Sequence, residues 1–127
     1  MPSATTEGIV VEVRPEFWPE RSDAQRGLWA FTYTIRISNR GDAAAKLLRR
    51  RWQVVDGTGK TEEIEGEGVV GKQPDLAPGE SFEYTSWVAL PTPIGTMEGT
   101  FSMQRADGSG FEAEVPRFVL RQDDALH

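Results

Sequence analysis

Gly66, Gly68 and Gly71 stand at the spacing G-x-G-x-x-G within EGEGVVGKQPDLAPGESFEYTS, residues 65–86. In dinucleotide-binding folds that spacing gives a tight turn and lets the backbone approach a pyrophosphate at a helix N-terminus. The chemistry would be a phosphate cradle, and it requires a strand before the glycines and a helix after them. Residues 69–74 (VVGKQP) open no helix, and Glu65 and Glu67 would repel phosphate. The residues therefore predict a shaped, acidic loop between two strands, whose glycines supply positive φ or close backbone approach. Tight nucleotide binding is not expected of it, although such a loop is also a candidate sensor of a divalent cation, a nucleotide or another small ligand.

Glu62, Glu63, Glu65, Glu67 and Asp75 offer oxygen ligands suited to magnesium or calcium rather than cobalt, which favours some imidazole. The sole histidine is the terminal His127, and there are 0 cysteines. The competing reading is a solvated acidic edge that discourages edge-to-edge association. No specific metal site and no cofactor are expected. Catalysis lacks parts as well: there is no Cys, no internal His to act as a base and no Ser in a nucleophile-elbow context. The expectation is a non-enzyme with no catalytic residues. Arg49 and Arg51 share one face of a strand, because successive side chains diverge, and they are candidates for partner contact. Trp87 alternates outward beside Glu83 and Thr85, and an exposed Trp is a common interface anchor. Trp87 is the foremost candidate for touching a protein partner.

The elements that must position these groups are strands. Alternation at 7–13 (Ile9, Val11 and Val13 on one side) marks the first, and 14–27, with two prolines and many charges, reads as a long loop pinned by Phe17 and Trp18, with one helical turn near 21–25. Residues 28–39 alternate most cleanly, with Trp29, Phe31, Tyr33, Ile35 and Ile37 to one side. A turn at 39–42 leads to 48–56, with Leu48, Trp52 and Val54 inward. Arg50 falls on that inward phase, so it reaches a rim or pairs with a carboxylate. DGTG at 56–59 signals a hairpin to a short strand at 61–64. Ala77-Pro78-Gly79-Glu80 fits a type II turn. Strands follow at 82–88, 96–105 and 111–115, the last extended by Phe118 and Leu120, with a break at Pro91-Thr92-Pro93 and a frayed tail to His127. Trp29, Phe31, Tyr33, Trp52, Phe82, Tyr84 and Phe101 are candidate core aromatics. About seven strands with no helical periodicity predict an all-β, immunoglobulin-like antiparallel sandwich, and the absence of a Cys pair favours the fibronectin III type.

A chain of 127 residues reads as one domain, 1–127, with an ordered core at about 6–121. The first residues lack a basic region followed by an apolar run, and no stretch reaches membrane-spanning length, so a cytoplasmic protein without membrane association is expected. A net charge of -6 argues against nucleic-acid binding by the whole surface. The charge is uneven: residues 36–60 hold seven Lys or Arg against two acids, whereas 61–86 hold seven acids against Lys72.

The runs LLRRRWQVVDGTGKTEEIEGE (47–67), GEGVVGKQPDLAPGESFEYTS (66–86) and TPIGTMEGTFSM (92–103), together with F-x-Y-T-I-x-I-x-N at 31–39, closely resemble the ApaG family, also called CorD, over nearly the whole chain. The resemblance implies a fibronectin III-like sandwich with no assigned enzymatic activity. It also implies an association with cobalt resistance and magnesium efflux, and a kinship with interaction modules of eukaryotic F-box and polymerase-interacting proteins. Two positions depart from the pattern: many members have His where this chain has Arg51, and Gly where it has Trp87. No role of that histidine can be carried over. The combined reading is a binding module for a protein partner.

Overall fold

The computed structural model describes residues 1–122, so the frayed tail expected up to His127 lies outside the described residues. The first strand expected at 7–13 is two strands. β1 (Ser3–Thr6) and β2 (Ile9–Phe17) form a hairpin about Glu7 and Gly8, both at positive φ as a two-residue hairpin turn requires. β2 continues through Pro15 to Phe17, which corrects the long loop expected at 14–27. β1 covers β2 only from Ile9 to Glu12, so Pro15 sits where β2 has become an edge, the setting in which a strand tolerates a missing N–H. Two short 3-10 turns, Pro19–Arg21 and Ala24–Arg26, follow in place of one.

β3 (Trp29–Asn39) buries Phe31, Tyr33, Ile35 and Ile37 as expected, whereas Trp29, expected with them, is half-buried against the core. β4 (Ala45–Asp56) starts earlier than 48, and a bulge between Leu47 and Arg49 changes its phase. Leu47 is therefore the fully buried residue, while Leu48, expected inward, is the extra residue of the bulge and only half-buried. β5 (Thr61–Glu67) and the two-residue β6 (Asp75–Leu76) pair with β4. The hairpin before β5 is fastened by the Asp56 carboxylate, which accepts from the amides of Thr58 and Lys60 and the Thr58 hydroxyl. Those bonds, the hydroxyl first, hold its pKa below the usual value. β7 (Ser81–Leu90), β8 (Ile94–Arg105) and β9 (Gly110–Arg121) complete the chain.

The strands form two antiparallel sheets, β1-β2-β3-β7 and β5-β4-β8-β9, with β6 beside β4. Leaving aside the two short strands β1 and β6, seven long strands divide three and four, the fibronectin III type of sandwich. Trp52 lies at the centre of the interior, edge-on to Tyr33 (5.6 Å), Phe101 (6.0 Å) and Phe118 (6.1 Å). Gly99, opposite Trp52, has no room for a side chain, because a Cβ there would collide with the carbonyl of Arg51. That close approach lets β8 lie flat against β4 behind the indole.

The chain leaves the first sheet for the second at Asn39, which is 1% exposed. Its Nδ2 donates to the carbonyls of Ala43 and Leu76, each at 2.9 Å, and its Oδ1 accepts from the Gly41 amide at 2.9 Å. One side chain thus ties the β3–β4 crossing to β6. Truncation would strand the buried Leu76 carbonyl and the part-buried Gly41 amide, each costing about 1–3 kcal/mol when unpaired, while the Ala43 carbonyl would keep only its bond from Arg105. Asn39→Ala is expected to lower unfolding free energy by about 3 kcal/mol in denaturant titrations; a loss below about 1 kcal/mol would remove Asn39 from this role.

Candidate interaction surface

β5 runs on past residue 64, so Glu65, Gly66 and Glu67, expected in a loop, are strand residues opposite Arg51, Arg50 and Arg49. Gly66 is small because the Arg50 guanidinium lies on it: a Cβ would come within 2.7 Å of Nη2. Arg50 adopts neither a carboxylate pairing nor a fully solvated pose. Its Nη1 donates to the carbonyls of Glu67 (3.1 Å) and Gly68 (2.9 Å), closing the end of β5. Gly68 has φ 64, and a Cβ on it would run into the Lys72 carbonyl. Val70 (φ 44) and Gly71 (φ 78) then form a two-residue turn in which Val69 and Lys72 exchange backbone bonds of 2.8 and 2.9 Å. The Gly68 amide is taken by Leu48 O at 2.8 Å. A phosphate cradle needs convergent free amides; here the amides of Gly68, Val69 and Lys72 point to protein carbonyls.

Val69 is fully buried and anchors this turn, whereas Val70 is 51% exposed at its tip. A β-branched residue at positive φ is strained by contact between its Cβ and the backbone. Gly71, by contrast, meets no atom within 4 Å of a would-be Cβ and serves the turn through its φ alone.

Arg49 and Arg51 do share a face, the outer side of β4, and both reach the carboxylate of Glu65, at 3.9 and 3.7 Å. The basic strand and the acidic strand therefore partly neutralise one another. Exposed pairs of this kind contribute about 0–1 kcal/mol. Among the described residues no group of three or more His, Cys, Asp or Glu side chains converges as a metal site.

Trp87 lies on the other side of the molecule. Its strand belongs to the first sheet, so its outer face and that of Arg49 and Arg51 point in opposite directions. Trp87 is 60% exposed, directly opposite Thr32, and Thr85 beside it bonds Thr34 hydroxyl to hydroxyl at 2.8 Å. Trp18 stands edge-on to it at 6.3 Å, and the Arg21 guanidinium lies 5.5 Å from the Trp18 ring. Trp18, expected only to pin the loop, thus also forms the rim of this aromatic patch. Ser22 holds it there, donating to Trp18 O and accepting from the Ala30 amide, each at 2.8 Å. A serine that bonds backward over four residues is a local signal that spacing alone does not reveal.

Both tyrosines of the chain are interior. Burial raises the Tyr33 pKa, an effect opposed by Ser86 and by the charge of Arg50. Burial raises that of Tyr84 strongly, its neighbour Tyr33 adds to this, and Arg50 opposes it. The Tyr84 hydroxyl has no hydrogen-bond partner among the described residues.

Residues 19–105 match the profile of the ApaG domain. Protein ApaG of Dechloromonas aromatica is 51% identical over 119 residues, 94% of each chain, and Protein ApaG of Anaeromyxobacter dehalogenans is 52% identical over 120 residues, again 94% of each. The crystal structure of a Bordetella pertussis protein described as ApaA superposes with a TM-score of 0.89 at 43% identity, covering 98% of both chains.

Two measurements test the local physics. Val70→Gly relieves the strained φ and is expected to raise stability by about 1 kcal/mol; a loss on thermal or chemical denaturation would show that the valine is unstrained. For the tyrosines, folded pKa values above the unfolded value of about 10 mean stability that is intact below that pH and declines as pH rises beyond it. Phenolate absorbance should therefore appear in one cooperative step together with unfolding. Half-ionised tyrosine near pH 10 (roughly the free value) in a still-folded chain would contradict this.

Proposed function

The chain belongs to the ApaG domain family, and on that premise we propose that it is a non-enzymatic binding module of the cytoplasm that engages a protein partner through the outer face of the first sheet. The observation that carries this reading is Trp87, 60% exposed on a strand of unbroken register with a second indole beside it. Large aromatic side chains supply contact area at small entropic cost, and they head the residues whose truncation weakens interfaces most. The row Thr32, Thr34 and Thr85 provides hydroxyls between strands, and Arg36 and Glu83, 3.7 Å apart, form its charged border.

The opposite face is the weaker candidate, because Glu65 already occupies the two arginines there. On this reading, the association with cobalt resistance and magnesium efflux that the resemblance implies is exerted through the partner and not by a metal held on this chain. A nucleotide-sensing role for residues 66–71 has little support, since the amides of Gly68, Val69 and Lys72 are used internally and do not converge on a ligand.

Affinity capture with wild type, Trp87→Ala and an Arg49→Ala/Arg51→Ala double variant tests the choice of face. Trp87→Ala is expected to weaken capture at least about tenfold while leaving the melting profile near that of wild type, and the double variant is expected to retain the partner. Retention by Trp87→Ala with loss in the double variant would move the site to the other sheet.

A further inference from the structure

We infer that the free edge of β7 takes up an extended, lysine- or arginine-bearing segment of a partner protein as an additional antiparallel strand, with Trp87 beside it. The inference rests on the protein-binding reading and adds the form and charge of what is bound.

A sandwich has edges that expose unpaired N–H and C=O groups, and proteins ordinarily guard them with charge, proline, shortness or cover. Among the described residues, β1, β7, β5 and β9 end the two sheets, and three of these four strands are guarded. β5 carries Glu62, Glu63, Glu65 and Glu67 within seven residues. β9 contains Pro116 and is covered by the β1 hairpin, with the Glu114 amide donating to Thr6 Oγ1 at 3.0 Å. β1 is four residues long. β7 has none of these protections: ten residues, no proline, a single charge at Glu83 and an unbroken register against β3 from Ser81 to Leu90.

The identity of its free groups follows from the ladder. The Asn39 amide donates to Glu80 O at 2.9 Å, and the register pairs Ile37 with Phe82, so the hydrogen-bonded pairs of β3 and β7 fall at residues 82, 84, 86, 88 and 90. Ser81, Glu83, Thr85, Trp87 and Ala89 consequently turn their N–H and C=O groups to the open edge. They span about 27 Å, room for about nine residues of added strand. These residues also carry the outward side chains, so a segment paired there lies alongside the Trp87 ring.

Charge selects the occupant. The seam between β7 and the second sheet ends in two hollows, one of about 500 Å³ lined by Asp75, Glu80 and Lys72 and one of about 270 Å³ lined by Asp56, Glu62 and Lys60. Acids outnumber lysines at each or in sum, and Glu83 sits on the edge between them, paired to Arg36 at 3.7 Å. With a net charge of -6, a second copy of the chain is repelled.

The probe is a synthetic nine-residue peptide with lysine at alternate positions and valine or threonine between, alongside its glutamate counterpart. With the lysine peptide, amide shifts centred on Glu83, Thr85 and Trp87 are expected, with slowed hydrogen exchange of those three amides. Binding of the glutamate peptide should be at least about tenfold weaker. Thr85→Pro removes a free edge N–H and no backbone bond to β3, losing only the hydroxyl contact with Thr34, and should cost at least about tenfold in affinity; Ala89→Pro, near the strand end and without that contact, serves where Thr85→Pro does not fold. The inference is overturned by shifts elsewhere or none, by equal binding of both peptides, by unaltered binding in the proline variants, or by peptide-free dimers paired through β7. Loss of partner capture in Trp87→Ala with full capture in Thr85→Pro would leave the face reading standing and remove strand addition alone.

Discussion

The crossing from one sheet to the other is held by one buried amide whose two N–H donors and oxygen are all bonded. Asn39 sits where β3 leaves its sheet, and its side chain holds Gly41, Ala43 and Leu76 while its backbone N–H and C=O pair with Glu80 and Gly79. The crossing, β6 and the start of β7 are thereby fixed relative to one another. An unpaired polar group at this depth would be costly, so the sequence between Arg40 and Ala44 has little freedom to wander. Arg105 supports the same corner from β8, donating to the carbonyls of Ala43 and Glu7. Fixing Glu80 against Asn39 also decides the hydrogen-bonding phase of β7. Which of its residues face the open edge is therefore settled at the far end of β3.

Close backbone approach is the second constraint, and it explains the glycines better than phosphate does. Gly99 yields to the Arg51 carbonyl, Gly66 to the Arg50 guanidinium and Gly68 to the Lys72 carbonyl. Each is small because something specific occupies the space of its side chain. Gly71 differs: space around it is open, and its φ of 78 is what the turn requires. A pattern that resembles a nucleotide motif in one dimension is, in three, three unrelated solutions to packing and turning.

Period-two alternation made β3, β7 and the interior set around Tyr33, Trp52 and Phe101 legible, since a strand with one buried face writes that face into its sequence. It failed where the ladder is irregular. The bulge at Leu48 shifts phase by one residue, and no composition signal marks it. Pro15 and the surrounding charges hid the second half of β2, because an edge strand tolerates what a central strand forbids. β5 was cut short at residue 64 since Gly66 resembles a loop residue when the guanidinium that displaces its side chain comes from another strand. Among the site candidates, alternation gave the outward direction of Trp87 and the shared face of Arg49 and Arg51. It could not give their placement on opposite sheets, which depends on the pairing of β7 with β3 and not with β4.

That placement separates two kinds of surface. On β4 the outward arginines face outward glutamates of the neighbouring strand, so charge is satisfied within the sheet and the strand is already paired on both sides. On β7 the outward residues have a neighbour on one side only, and in an antiparallel ladder the residues that free their backbone on that side are here the ones whose side chains point to solvent. The exposed indole of Trp87 and the backbone groups turned to the open edge consequently fall on the same five residues. The acidic β5 across the seam is guarded by its charges against a further strand of like charge. The two edges are thus asymmetric, one charged and one nearly neutral, and among the described residues the nearly neutral one keeps its outward backbone groups unpaired.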